Sequence, residues 1–162
     1  MNRDTEQALI KRCISLCNNN TTQLAESETT SSVERYIDQD RFNLEMEKAF
    51  RRKPVPYVHS TQVADANSFV TLDSPMGALL ITRDEEGTVH AFYNVCRHRG
   101  TKLVNEGQGC AKRFRCAYHA WTYTTKGDLS SVPHGDACFP SLDRGKMGLK
   151  ELPCIERYGF IW

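Results

Sequence analysis

The residues best suited to chemistry in this 162-residue chain are two cysteine–histidine pairs. The first lies in "NVCRHRGTKL", where Cys96 and His98 flank Arg97 and Arg99 follows. The second lies in "RCAYHAW" and consists of Cys116 and His119. The full pattern is Cys96-x-His98, seventeen residues, then Cys116-x2-His119. A thiolate is a soft ligand and a neutral imidazole suits iron or zinc, so two loops that each offer one of both can close over a single metal centre.

Two kinds of centre take such a donor set. A zinc ion accepts all four side chains tetrahedrally, as a structural staple. A cluster of two irons and two sulfides takes both cysteines on one iron and both histidines on the other. Formal charge separates the second from an all-cysteine cluster. Two ferric ions, two sulfides and two thiolates sum to zero, against −2 with four thiolates, so an added electron is accepted more readily. Spacing alone leaves zinc and cluster both open.

The remainder of the chain must position these loops. Its net charge of +1 gives no bulk attraction to nucleic acid or to an anionic membrane. No apolar run approaches the roughly 20 residues of a spanning helix. The start, MNRDTEQALIKRC, mixes charges of both signs and is unlike a secretory leader. A cytoplasmic location is therefore expected. Four of the other cysteines, Cys13, Cys17, Cys138 and Cys154, show no ligand spacing, and a disulfide framework does not suit a chain of this length without an export signal.

Leu9, Ile10, Cys13, Ile14 and Cys17 recur at helical spacing, which predicts a helix over 1–17 with both thiols buried as small hydrophobes. A polar run completes the first segment, 1–37. A second helix is expected over 38–56, capped by Asp38 or Asp40. Its apolar face is Phe42, Met46, Ala49 and Phe50, and Pro54 and Pro56 stop it. From 57 to 162 the texture becomes β: "NSFVTL", "GALLITR", "TVHAFYN", "AKRFRCAY" and "TYTTKGDLSSV" read as strands, with "DEEG" and "KG" as turns. The fold class is mainly β, a small antiparallel sandwich or barrel preceded by one or two helices. The closing "RYGFIW" reads as an unfinished strand, so the sequence is expected to be part of something longer.

"CRHRG" and "CAYHAW" together resemble the Rieske domain at the N-terminal end of the large (alpha) subunit of Rieske-type non-haem iron oxygenases. The similarity continues through "AFYNVCRHRGTKL", "WTYTTKGDL" and "LPCIERYGFIW", over roughly residues 38–162. It implies a Rieske-like β fold and a Rieske [2Fe–2S] cluster, with Cys96 and Cys116 on one iron and His98 and His119 on the other. Structural zinc accounts for the ligands but not for these flanks. The respiratory branch of the group carries a disulfide between its cluster loops. The matching positions here are Thr101 and Tyr118, so that bond cannot form. Where that branch places a serine hydroxyl against a sulfide, this chain has Trp121. Fewer donors imply a potential near the low end of the roughly −150 to +300 mV range.

Around the ligands, Arg97 and Arg99 are expected to favour the reduced cluster or to pair with carboxylates on a docking partner. Gly100 is expected to let the backbone pass close, and Tyr118 and Trp121 to limit water. Ala117 and Ala120 depart from the proline and glycine common in the family. The resemblance implies electron transfer from a reductase or ferredoxin to a mononuclear Fe(II) in a catalytic domain of the same or a neighbouring subunit, within a ring-shaped homo-oligomer. His59, His90 and His134 are too widely separated to supply that second iron site, so the catalytic domain is expected to be missing from residues 1–162. The other readings are a free-standing Rieske ferredoxin and a zinc-stapled module. Neither nucleic acid nor membrane is expected as a partner.

Overall fold

The computed structural model describes residues 1–105 and 107–162. The chain forms two units, Met1–Asp38 and Gln39–Trp162. In the first, α1 (Arg3–Asn18) begins at Asn2, whose side-chain oxygen accepts the Thr5 N–H at 2.8 Å. Asp4 and Glu6 in the first turn suit the positive end of the helix dipole. A short helix, α2 (Glu34–Ile37), follows. No residue of α1 is buried, which corrects the expectation for its stripe: Cys13 and Cys17 are exposed thiols. The amphipathic pattern is real, but the other helix described in this unit has four residues and offers no apolar face long enough to cover it.

The second unit starts with α3 (Gln39–Glu45), which passes into a π-helical turn at Met46–Phe50. The helix expected over 38–56 is thus two shorter pieces. Its apolar stripe is also largely uncovered, with Phe42 at 53% and Phe50 at 39% exposure. The β texture that follows gives three antiparallel sheets among the described residues.

The central sheet orders its strands β5-β2-β3-β4-β9, from β2 (Ser68–Ser74), β3 (Gly77–Arg83), β4 (Val89–Tyr93), β5 (Gln108–Cys110) and β9 (Glu151–Leu152). Both of its faces are covered, which is why "LLIT" in β3 is buried at every position rather than at every second one. Register divides the side chains between two cores. Phe69, Leu80 and Phe92 face the core that holds Cys96 and Cys116. Val70, Ile81 and Ala91 face the other, with Val58, Val63 and Ile161.

The second sheet, β6 (Arg113–Arg115), β7 (Thr122–Thr124) and β8 (Leu129–Ser131), packs on the cysteine side through Phe114, Tyr123 and Leu129. The expected strand "AKRFRCAY" is shorter than its pattern, because the chain leaves the ladder at Cys116 to form a loop. The third sheet joins β1 (Val58–His59), β11 (Phe160–Ile161) and β10 (Glu156–Arg157). "RYGFIW" is therefore a hairpin and not one strand: Tyr158 and Gly159 both take positive φ, 56° and 80°, as a two-residue turn of this hand requires.

Two loops leave the sheets in matching conformations. Cys96 N–H donates to the Thr101 carbonyl at 2.8 Å and Gly100 N–H donates to the Cys96 carbonyl at 3.0 Å. In the other loop Cys116 N–H donates to the Trp121 carbonyl at 2.8 Å and Ala120 N–H to the Cys116 carbonyl at 2.9 Å. Each closure puts its fifth residue in the left-handed region, Gly100 at φ 73° and Ala120 at φ 57°. Glycine adopts that conformation freely, whereas alanine's Cβ costs about 1–2 kcal/mol there.

Asp84 fixes the turn between β3 and β4. Its Oδ1 accepts from Glu86 N–H at 3.0 Å and Thr88 N–H at 2.8 Å, and Oδ2 lies 2.9 Å from His90 Nε2. Burial alone pushes this carboxyl up. The hydrogen bonds from His90 and Thr88, with the charges of His90 and Lys126, outweigh burial and hold it below its ordinary value.

Two outcomes are expected. Ala120→Gly relieves the left-handed strain and stabilises the fold by about 0.5–1 kcal/mol in chemical denaturation, the glycine entropy cost offsetting the remainder. Asp84 has a depressed native pKa, so its contribution is complete above the ordinary carboxylate range and is lost as pH falls through the native value. Asp84→Asn should cost about 1.5–3 kcal/mol at neutral pH and flatten the acid limb of the stability curve. An acid limb unchanged by the substitution would show that other carboxyls govern it.

Candidate metal centre

The two matching loops face each other, and their donors come together by type. Cys96 and Cys116 are 2% and 3% exposed, and each lies within the electrostatic reach of the other. The His98 and His119 rings sit 4.7 Å apart between centroids, at 74°. The thiols thus point into the core while His119 is exposed and His98 partly so. Among the described residues no three His, Cys, Asp or Glu side chains converge as they would around one ion. Two pairs, one of sulfur and one of nitrogen, fit a two-iron cluster that takes both thiols on one iron and both imidazoles on the other.

Electrostatics prepares the donors differently. Burial pushes the Cys96 thiol up, and the adjacent Cys116 adds to that. Tyr123 Oη, 3.4 Å from Cys96 Sγ, and the His98 N–H work in the opposite direction by donating to the sulfur. The same phenol oxygen accepts the Arg97 N–H at 3.0 Å. Burial first, and then the contact with Cys96, pushes the Tyr123 phenol far up, so it keeps its proton and remains a donor. Burial, the His119 charge and the Arg99 charge each push His98 down, favouring the neutral imidazole that ligates metal.

Aromatic residues wall the centre. Trp121, 2% exposed, stacks on His98 at 4.9 Å and 9°. Phe139 meets both His98 and Trp121 edge-on, at 5.7 Å and 5.6 Å. Tyr118 is different from the expectation that paired it with Trp121 as a water barrier: it is 57% exposed, its ring against His119 and the Arg99 guanidinium 6.0 Å from its centroid. Gly100 forms the left-handed corner of the first loop. Arg97 has its Nε buried without a hydrogen-bond partner, and a buried N–H of this kind calls for an acceptor such as a bound anionic group would bring.

Two positioning residues escaped the sequence reading. Asn94 is fully buried; its amide donates to the Val104 carbonyl at 2.8 Å and accepts the Val104 N–H at 2.9 Å, pinning both ends of the first loop. Tyr123, on the sheet beneath, brings its hydroxyl to 3.4 Å from Cys96 Sγ, a contact with the cysteine sulfur and not with the sulfide that the respiratory-branch serine meets. The alternation of "WTYTT" hints at an inward Tyr123, but its partner lies on another loop. Cys110 is exposed on β5 and bonds to the Ala66 carbonyl at 3.6 Å.

Residues 53–153 match the model of the Rieske [2Fe–2S] domain. The chain is 35% identical over 141 residues to the large oxygenase component of the naphthalene 1,2-dioxygenase system of Pseudomonas aeruginosa, covering 86% of this chain and 31% of that protein. It is 36% identical over 133 residues to the large oxygenase component of the 2,4-dinitrotoluene dioxygenase system of Burkholderia sp. (strain RASC), covering 78% and 29%. It spans about a third of the length of these curated relatives. Among solved structures, naphthalene 1,2-dioxygenase with indole bound in its active site superposes with TM-score 0.68 at 35% identity, over 74% of this chain and 27% of that one. The apo form of the quaternary ammonium Rieske monooxygenase CntA superposes with TM-score 0.72 at 30% identity, over 82% and 38%. Matching loops, donors paired by type and these similarities agree: the chain belongs to the Rieske [2Fe–2S] domain family, in the form found in oxygenase large components.

Proposed function

We propose that this chain is the electron-relay domain of an oxygenase large subunit, with Cys96 and Cys116 holding one iron of a [2Fe–2S] cluster and His98 and His119 the other. The observation that carries this reading is the pairing of donors by type, two buried thiols together and two imidazoles 4.7 Å apart. When bound, the cluster accepts and returns single electrons at a potential that its imidazole ligands raise.

The chain's own residues set how that happens. Tyr123 holds its proton toward Cys96 Sγ and disperses the sulfur's charge. Trp121, Phe139 and Leu103 keep water from the thiol half. His119 carries the imidazole half to the surface, where a partner can approach within short range. Electrons arrive from a reductase or ferredoxin and leave for a mononuclear non-haem iron. No convergent group of three ligands for that iron exists among the described residues, so the acceptor belongs to another part of the assembly, on the same or a neighbouring subunit. Similarity to oxygenase large components favours this over a free-standing ferredoxin.

Protein purified anaerobically should contain two irons and two acid-labile sulfides per chain, and show a Rieske-type electron paramagnetic resonance signal after dithionite. His98→Ala and His119→Ala should each lose that content, while Cys110→Ala keeps it. A full cluster in either histidine variant, or one zinc without sulfide in the parent, would overturn the assignment. Tyr123→Phe should assemble the cluster but lower its potential by on the order of 50 mV, because the reduced state loses a donor to sulfur. An unmoved potential would mean that the phenol does not reach the ligated sulfur.

A further inference from the structure

We propose that an apolar pocket on the side of the central sheet away from the two thiols binds a small aromatic monocarboxylate. The inference is independent of the relay reading, which assigns that side of the sheet no role.

The pocket encloses about 110 Å³. The sheets contribute Leu79 and Ile81 of β3, Ala91 of β4 and Ile161 of β11, all buried. Ile81, Ala91 and Ile161 belong to the core that holds neither Cys96 nor Cys116. The stretch after the π-helical turn contributes Pro54 and Val55. Pro54 and Pro56 fix φ at two positions of that stretch, so the wall is preformed and a ligand need not order it.

Three polar groups in the lining decide what the pocket can hold. The Tyr57 main-chain N–H donates to the Ile161 carbonyl at 3.1 Å, but its phenol oxygen is buried with no hydrogen-bond partner among the described residues. A buried hydroxyl in that state lacks an acceptor for its proton. Lys53 is the one charged residue described in the lining, it is exposed, and it makes no ion pair among the described residues. Glu47, the acidic residue nearest to it in sequence, is met instead by Lys48 at 2.8 Å and Arg52 at 3.6 Å. Burial, and then the Glu151 charge, push the Cys154 thiol up. It therefore stays neutral and adds no negative charge to repel an anion.

Size sets the body of the ligand and these groups set its substituent. An apolar cavity of about 150 Å³ takes up benzene. A somewhat smaller volume that reaches solvent beside Lys53 suits a single ring with its substituent toward the opening. A carboxylate supplies both missing partners, an acceptor for the phenol and a negative charge for the ammonium. A neutral ring lacks the charge, and a cationic one meets Lys53 with the wrong sign.

The test titrates benzoate into the full chain, followed by calorimetry and by the two-dimensional spectrum of amide and indole N–H groups. Saturable binding is expected with a Kd on the order of 1 mM. It should move the indole N–H of Trp162, which lines the pocket and donates to the Arg157 carbonyl at 3.1 Å. Benzyl alcohol and benzylamine, a neutral and a cationic ring of similar size, should bind at least about threefold more weakly. Lys53→Gln, at an exposed position outside the core, should weaken benzoate about threefold and leave benzyl alcohol unchanged. Tyr57→Phe should weaken benzoate about fivefold with the fold intact by circular dichroism. Absence of saturable benzoate binding, or saturation that leaves the Trp162 indole unmoved, would overturn the site. An unchanged preference for benzoate over benzyl alcohol in Lys53→Gln would overturn its anionic class.

Discussion

The closure of the two cysteine loops is the constraint on which the site depends. In each, a main-chain N–H of cysteine is tied to the carbonyl five residues on, and its carbonyl is tied back by the fourth. These bonds settle the backbone polarity of a buried cysteine without borrowing its side chain, so the sulfur stays available as a ligand. They also impose a left-handed residue four positions after each cysteine. The first loop meets that demand with Gly100, and the second bears the strain of Ala120. Histidines at different offsets, two residues and three residues after their cysteines, still meet because the loops approach from separate sheets.

Everything else in the β unit serves that approach. The central sheet is a wall with a core on either side, and the thiols belong to one of those cores as fully as Leu80 or Phe92 does. Asn94 fastens the first loop to its own far end, and Thr82 Oγ1, donating to the Thr125 carbonyl at 2.6 Å, ties β3 to the turn of the second sheet. Gly127 in that turn has no room for a side chain, since a Cβ would fall 2.5 Å from Phe92 Cε1. The turn that carries β7 back from the cluster loop is thereby packed onto the same phenylalanine that floors the site.

Much of this was legible in the sequence where chemistry is local. Cys–His pairs announce themselves by type, and "DEEG" and "KG" mark turns because a glycine there must take positive φ. The hairpins followed from alternation in β2 to β4. What failed was whatever depends on a partner far along the chain. Periodicity shows that α1 and α3 have apolar stripes, but not whether an element exists to cover them, and both remain exposed. Asn94 is an ordinary polar residue in sequence and becomes a clasp only once Val104 lies opposite it. Tyr123 reads as one more strand residue until the loop bearing Cys96 folds over it. The hairpin hidden in "RYGFIW" was masked by aromatic residues, which favour strands on either side of a turn.

The unequal burial of the four side chains decides what solvent can reach. Cys96 and Cys116 are 2% and 3% exposed in the core with Trp121 and Leu103, whereas His119 stands at the surface. A cluster held by the four would be approached by oxidants and chelators from its imidazole edge, with its thiol edge sheltered until the core itself loosens.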